Sequence, residues 1–229
     1  MNGSILKLLA CIAMLADHIA AFMPGSFLHL AEPLFSIGDK VITLKLLLHY
    51  IGRTAFPIFA FLITEGFIHT HDRKKYGLNM LLFALISEIP WNLVHSNDLF
   101  YPRQNVFFTL LLGYLGMYVI DFFKDDKRKA AACLTALFIT SILLRADYGC
   151  FGFGFIILIY LLREHKVLMA IIGSCVLPSR WIGGTAFIPI LMYDGTRGFA
   201  KGKWIKYAFY TFYPLHLFLI YLFRCTILK

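Results

Sequence analysis

The chain has 229 residues, of which 59% are hydrophobic and only 15% charged, and its mean hydropathy is +0.72. Soluble domains are about half apolar and about a quarter charged, so this composition excludes a disordered protein, a soluble dinucleotide-binding enzyme and a nucleic-acid-binding module. The net charge of +9 comes from 22 basic and 13 acidic residues. In so apolar a chain it is interpreted first through the preference of basic residues for the cytoplasmic side of a membrane.

Apolar runs predict a series of helices, and we expect an all-α, polytopic transmembrane bundle of about eight or nine membrane segments in a single domain, residues 1–229. The predicted helices lie near residues 4–23, 44–70, 76–95, 105–123, 130–145, 150–163, 167–178, 181–194 and 205–223. A membrane span needs roughly 20 apolar residues. The first four and the last are long enough, whereas 150–163, 167–178 and 181–194 could be tilted, re-entrant or buried in the bundle. Strand signals are weak, and no internal repeat is found.

The distribution of basic residues predicts the orientation of the bundle. If the N-terminus is inside and nine helices alternate, 14 of the 22 basic residues fall on the inner side, seven on the outer side, and Arg53 within the membrane. This bias predicts a multi-pass protein of the bacterial cytoplasmic (inner) membrane with its N-terminus inside. If 167–194 formed one re-entrant hairpin, the other helices would keep their orientation.

Ionisable residues inside the apolar runs give the strongest functional signal, because charged groups are costly in a bilayer. Asp17 and His18 lie in the first predicted helix, Arg53 in the second, Glu88 in the third and His216 in the last. The predicted topology puts all five between the middle of the membrane and its outer third, where they could converge in one polar chamber. Imidazole suits general-base chemistry at neutral pH, so we predict these five as catalytic residues. The alternative is that each only joins helices or snorkels to the interface.

The neighbour of His18 within such a chamber is left open by the sequence. Successive residues of a helix point about 100° apart, so Asp17 need not contact His18, and Glu88 or Arg53 could be its partner instead. Three prolines, Pro57, Pro90 and Pro214, lie close to these polar residues. Each is expected to interrupt its helix, because proline removes a backbone hydrogen bond.

Two further sets of polar residues flank the predicted chamber. Candidate substrate-binding residues on its outer side and in the last helix are Gln104, Asn105, Asp147, Tyr148 and Tyr213. Candidate residues for an anionic cytoplasmic ligand, such as a nucleotide or coenzyme A, are Glu65, Thr70, Arg73, Lys74, Lys75, Tyr76 and Arg197. Membrane topology alone also explains most of the basic ones. The chain has no P-loop, and its five cysteines are scattered without the paired spacing of a disulfide framework or metal site.

Ordered motifs along most of the chain resemble the TraX family of integral membrane proteins. They lie at residues 14–19, 53–61, 65–67, 69–70, 88–90, 104–109, 147–149, 193–195, 206–210 and 212–217. The resemblance implies acyl transfer, because the named member of that family is associated with N-terminal acetylation of conjugative pilin. It also implies a relationship to multi-pass acyltransferases that use acetyl-CoA and a membrane-embedded histidine. Many members are not linked to conjugation, so the acceptor does not carry over.

The resulting hypothesis has acetyl-CoA as the acyl donor, entering from the inner basic face with its phosphates near Arg73, Lys74, Lys75 or Arg197. In this scheme His18 acts as general base or accepts the acyl group itself. Asp17 or Glu88 would orient its imidazole, and His216 is the rival base. Arg53 and Asn105 would polarise the thioester carbonyl.

Two other function classes compete with the enzyme. A proton-coupled transporter or lipid scrambler also uses intramembrane ionisable residues, although it would predict internal pseudo-symmetry. A non-catalytic membrane assembly protein would use the polar residues only to join helices. Besides the lipid bilayer and acyl-CoA, the expected partner is an acceptor protein, glycan or lipid of the cell envelope. No nucleic acid or metal is expected, and the sequence leaves acyl chain length and homo-oligomer formation open.

Overall fold

The computed structural model describes residues 1–179, 181–200 and 202–227, and within them the chain forms eleven α-helices and one β-hairpin. The helices are α1 (Gly3–Phe22), α2 (Leu44–Gly52), α3 (Ala55–His69), α4 (Arg73–Ser96), α5 (Val106–Phe122), α6 (Lys127–Leu143), α7 (Gly149–Leu162), α8 (Lys166–Val176), α9 (Trp181–Gly184), α10 (Phe187–Leu191) and α11 (Lys203–Ile227). The hairpin strands are β1 (Pro33–Ile37) and β2 (Lys40–Thr43). Every predicted apolar run is therefore helical, which confirms the all-helical class.

Polar residues at helix starts explain why the helices begin where they do. The side chains of Asn2, Thr43, Asp72, Asn105 and Asp126 accept hydrogen bonds from backbone amides in the first turns of α1, α2, α4, α5 and α6. Such N-caps satisfy amide groups that have no partner inside the helix. The starts of these five helices are thus marked by local signals in the sequence.

Among the residues that the structure describes, three helical segments are long and apolar enough to cross a membrane: α1, the Leu44–His69 segment that contains α2 and α3, and α4. The surface of the bundle is apolar as well. On α4, Leu78, Leu82, Leu85 and Ile89 are all exposed and recur at the helical period, so they form one lipid-facing stripe. The chain is therefore a membrane protein. The count of eight or nine membrane segments stays a prediction.

One of the three prolines predicted to interrupt a helix lies at a helix break. The predicted helix 44–70 is divided at Arg53 and Thr54, and Pro57 lies in the first turn of α3 that follows. Pro90 and Pro214 lie inside the continuous helices α4 and α11, so the prediction that they interrupt their helices is wrong. Gly52 lies at the α2–α3 break against α1, where a Cβ atom would stand 2.3 Å from the Cβ of Asp17. The missing side chain therefore permits the close contact between α1 and α2.

The β-hairpin between α1 and α2 was not predicted by the sequence. Its strands are antiparallel, with Ile37 opposite Lys40, and Gly38 in the connecting turn has a φ of +58°. Leu34, Phe35 and Ile37 are exposed on β1. Because these apolar side chains do not alternate with polar ones, the segment lacked the pattern by which a half-buried strand is recognised.

The core forms where α1 packs on α2, α3 and α11, α4 packs on α5 and α11, and α5 packs on α7. Small residues permit the last contact, because a Cβ atom at Gly113 of α5 would lie 2.5 Å from the side chain of Ile156 on α7. Close approach through small residues is typical of helices packed in membranes. This arrangement leaves a cavity among α1, α3, α4, α5 and α11.

Candidate functional site

A cavity of about 570 Å³ runs along one face of α1. Gly3, Lys7, Cys11, Met14 and His18 all line it, and their spacing of three or four residues places them on the same side of the helix. At a rise of 1.5 Å per residue, the 15 steps from Gly3 to His18 correspond to about 22 Å. The cavity is thus an elongated channel whose two ends carry different chemistry.

One end of the cavity is basic. Lys7, Arg197 and Lys206 line it from α1, the loop after α10 and α11, and Glu65 and Thr70 from the end of α3 lie beside them. We call this group the basic end. Of the predicted cofactor-binding residues, Glu65, Thr70, Tyr76 and Arg197 line the cavity.

The basic end is held in place by contacts between the start of α1 and the loop after α10. The backbone amide of Gly3 donates to the carbonyl of Thr196 at 2.7 Å, and the Ser4 hydroxyl donates to the carbonyl of Arg197 at 2.6 Å. Hydrogen bonds from the hydroxyl and backbone amide of Thr196 lower the pKa of Asp194 to about 2, and the α-amine of Met1 adds to this effect. Arg197 therefore sits on a structured loop.

The predicted cofactor-binding residues Arg73, Lys74 and Lys75 do not line the cavity. Arg73 forms an ion pair with Asp121, and its guanidinium lies 4.3 Å from the centre of the Phe67 ring. It belongs to a separate surface pocket of about 380 Å³ that also includes Lys74. In their place, Lys7 and Lys206 supply positive charge inside the cavity. Neither stood among the predicted site residues, although Lys206 belongs to the basic stretch 197–206.

The opposite end of the cavity, which we call the polar end, is lined by Asp17, His18, Asp147, Tyr148 and Tyr213. These side chains come from α1, the loop before α7 and α11, and were all predicted as site residues. Tyr148 is stacked on Phe56 of α3, with ring centres 3.8 Å apart.

Between the two ends the lining is mainly apolar, with Met14, Phe59, Leu62, Met80 and Leu110 among its members. A ligand that fills the cavity would therefore have a charged end, an apolar middle and a polar end.

His18 is paired with His216 of α11, not with Glu88 or Arg53. Its Nδ1 lies 2.6 Å from the Nε2 of His216, and the two rings are stacked within 9° of parallel. The Nδ1 of His216 lies 2.7 Å from the carbonyl oxygen of Phe212. A carbonyl only accepts hydrogen bonds, so this Nδ1 carries the proton and the Nε2 of neutral His216 accepts. His18 must then donate from Nδ1, which leaves the lone pair of neutral His18 on Nε2.

Asp17 has a partner that the sequence analysis missed. The Nδ1 of His49 on α2 lies 2.9 Å from the Oδ1 of Asp17, and neither group contacts His18 by a hydrogen bond. His49 follows three leucines in an apolar run. Asp17 and His18 were selected because they are ionisable residues inside an apolar segment. The same rule would also have found His49.

The remaining predicted residues lie outside the cavity lining. Glu88 of α4 accepts a hydrogen bond from the backbone amide of Asn105 at 3.0 Å, and the Asn105 amide group donates to the carbonyl of Ala84 at 2.8 Å. This pair fastens the start of α5 to α4. The backbone of Gln104 is bonded to the carbonyl of Arg145, and Arg53 is exposed at the α2–α3 break.

Among the residues that the structure describes, no group of three or more histidine, cysteine, aspartate or glutamate side chains could hold a metal ion. The side chains that line the polar end carry imidazole, carboxyl and phenol groups.

Comparison with known proteins gives two matches that extend along the chain. The family model described as "TraX protein" matches residues 2–224. A protein of Dichelobacter nodosus described as "Probable fimbrial assembly protein FimC, serogroup H1" is 28% identical over 245 residues, which cover 94% of this chain and 92% of that relative. No solved structure matches the chain at a significant level.

Proposed function

The chain belongs to the TraX family, and from that premise we propose that it is a membrane-embedded acyltransferase. The reaction would move an acyl group, in the first instance acetyl, from a coenzyme A thioester to an amine or hydroxyl acceptor. One observation carries the proposal: His18, with a free basic nitrogen, lies in the same cavity as a cluster of cationic side chains at the opposite end.

The cavity lining fits a coenzyme A thioester in charge and in length. Lys7, Arg197 and Lys206 would hold its phosphate groups, since clustered positive charge attracts anionic ligands. The apolar middle would accept the thioester arm. Lys7 and His18 are eleven residues apart on α1, which corresponds to about 16 Å along the helix, so a donor bound at the basic end could present its thioester to the imidazole.

In the proposed chemistry, the Nε2 of His18 removes a proton from the acceptor as the acceptor nitrogen or oxygen attacks the carbonyl carbon. The carbon–sulfur bond then breaks, and the leaving thiolate recovers the proton from His18. His216 holds His18 in the tautomer that this step requires. Asp17, with His49, would supply negative charge near the imidazolium that forms.

The proposed acceptor is the N-terminal amine of a pilin-like protein. The relative from Dichelobacter nodosus carries a name that refers to fimbrial assembly, and a pilin is the protein that such assembly handles. An envelope glycan or lipid hydroxyl is the alternative acceptor. We further propose a multi-pass arrangement in the cytoplasmic membrane with the N-terminus inside, which would turn the basic end toward cytosolic acyl-CoA.

A second candidate function is non-catalytic membrane assembly, and the relative's name favours it. In that case the His18–His216 and Asp17–His49 pairs would serve only to join α1 to α11 and α2. The two candidates differ in whether the protein binds acyl-CoA and breaks its thioester.

The deciding experiment measures thiol release from acetyl-CoA by protein purified in lipid nanodiscs, with a pilin N-terminal peptide as acceptor. We expect saturable release by the wild-type protein and a loss of about 10²–10⁴-fold in rate for His18→Ala. His165→Ala, at an exposed position outside the cavity, is the matched control and should retain the full rate. If wild-type protein neither binds acetyl-CoA nor releases thiol, the acyltransferase proposal fails and the assembly role stands.

A further inference from the structure

The hydroxyl of Tyr213 is a buried polar group that plays no part in the contacts described so far. The side chain is 3% exposed and lines the polar end of the cavity, yet its hydroxyl has no hydrogen-bond partner within the described chain. A buried hydroxyl without a partner destabilises a protein, and native structures usually satisfy such groups. An unpaired hydroxyl that borders a cavity is therefore positioned to bind a ligand.

The position of Tyr213 is fixed close to the proposed base. Its ring centre lies 6.0 Å from that of His18 and 5.7 Å from that of His216, which is on the same helix. On its other side the ring packs edge-on against Phe107, with centres 5.3 Å apart. These contacts restrict the ring, so the hydroxyl has a defined direction.

A second donor lies beside this hydroxyl. Val106 is the first residue of α5 and lines the same cavity, and its backbone amide lies close to the Tyr213 hydroxyl. Asn105 caps the amide of Phe107 and not that of Val106. The start of a helix carries partial positive charge, which favours a negatively charged oxygen.

We propose that the Tyr213 hydroxyl, beside the start of α5, receives the carbonyl oxygen of the acyl thioester. The inference rests on the proposed function. As the acceptor attacks and His18 takes its proton, the carbonyl π electrons move onto that oxygen, and the hydroxyl and the positively polarised helix start stabilise the charge until the carbon–sulfur bond breaks. Tyr213 thus takes the part that the sequence assigned to Arg53 and Asn105, which lie outside the cavity lining.

The test compares Tyr213→Phe with the matched control Tyr221→Phe. Tyr221 lies two helical turns later on α11, is partly exposed and does not line the cavity. We expect Tyr213→Phe to lower kcat by about 10²–10³-fold, the loss typical of one oxyanion donor, with little change in KM. Tyr221→Phe should retain kcat.

A spectroscopic measurement gives an independent readout. Acetyl-CoA labelled with ¹³C at the carbonyl should show a lower carbonyl stretching frequency when bound to the wild-type protein than in water. Tyr213→Phe should move the frequency back toward the free value, while Tyr221→Phe should not. If acetyl-CoA binds and reacts but Tyr213→Phe changes neither kcat nor the frequency, this inference is wrong and the proposed function survives. If acetyl-CoA does not bind at all, both fail.

Discussion

The hydrogen bonds of the His18–His216 pair, between α1 and α11, run in one direction, and that direction determines the reactivity of His18. The carbonyl of Phe212 fixes the tautomer of His216, and His216 in turn fixes that of His18. A single chain of hydrogen bonds thus decides which nitrogen of His18 is basic. No residue spacing in the sequence encodes this, because it depends on how α1 and α11 are rotated against each other.

Removing the partner imidazole should therefore impair the reaction without removing the base. In His216→Phe we expect acyl transfer to fall by on the order of 10²-fold, because His18 can then adopt the unproductive tautomer. Steady-state thiol release measures this, and unchanged binding of coenzyme A serves as the control for folding. A full rate in His216→Phe would show that the pair has no part in catalysis.

The unpaired hydroxyl of Tyr213 leads to opposite expectations for stability and for activity when it is removed. Tyr213→Phe removes a buried group without a partner, and such a group costs about 1–3 kcal/mol. We expect the variant to have a raised midpoint of thermal unfolding in detergent and a lowered transfer rate. A lowered midpoint would mean that the hydroxyl has a structural partner.

At the scale of elements, the sequence predicted the helices because their apolar runs and capping residues are local signals. Pro57 predicted an interruption of the helix 44–70, but its position at Arg53 and Thr54 was not predicted because the apolar run continues on both sides of these residues. The hairpin was missed because its exposed apolar side chains show no alternation. The pairing of His18 with His216 was not predicted because the two residues lie 198 positions apart in the chain. His49 was missed although it is an ionisable residue in an apolar run on the next helix.

The contact of α1 with α2 should be intolerant of any side chain at Gly52. A Cβ atom there would lie 2.3 Å from that of Asp17, so Gly52→Ala must push the helices apart. We expect a loss of about 1–3 kcal/mol in unfolding free energy, measured by chemical denaturation. Gly154→Ala, where nothing lies within 4 Å of the new Cβ, is the matched control. Equal stability of the two variants would contradict the close contact.

The loop after α10 should contribute to stability in a pH-dependent way. Asp194 has a pKa lowered to about 2 in the folded state, so its contribution is present above its ordinary pKa and is lost as the pH falls toward 2. We expect Asp194→Asn to reduce the unfolding midpoint at pH 6 and to weaken its decline between about pH 4 and pH 2. Parallel acid titrations of the two proteins would contradict this.

At the scale of the whole molecule, the channel along α1 joins two chemically different ends, and the sequence predicted most of their polar members. It could not predict which basic residues enter the channel, because successive residues of a helix point about 100° apart and the rotation of each helix in the bundle is not a local signal. Arg73 turns to Asp121, whereas Lys206 turns inward. The use of the channel depends on which end faces the cytosol.

Orientation can be tested with single cysteines in a variant whose five natural cysteines are replaced. Asp39 in the hairpin and Lys74 at the start of α4 are both exposed, and the distribution of basic residues predicts that they lie on opposite sides of the membrane. We expect a membrane-impermeant maleimide to label Asp39→Cys, but not Lys74→Cys, when applied from outside the inner membrane. The reverse pattern would place the basic end outside and contradict cytosolic acyl-CoA as the donor.

The hairpin between α1 and α2 has a practical consequence for handling the protein. Within the described chain it is a sheet of two strands, so each strand has a free backbone edge next to exposed Leu34, Phe35 and Ile37. Open edges with apolar side chains promote pairing with a neighbouring molecule. We therefore expect concentrated samples from which detergent or lipid has been removed to aggregate through this hairpin while the helices are still intact. Polar replacements at these three positions should delay the turbidity that marks aggregation.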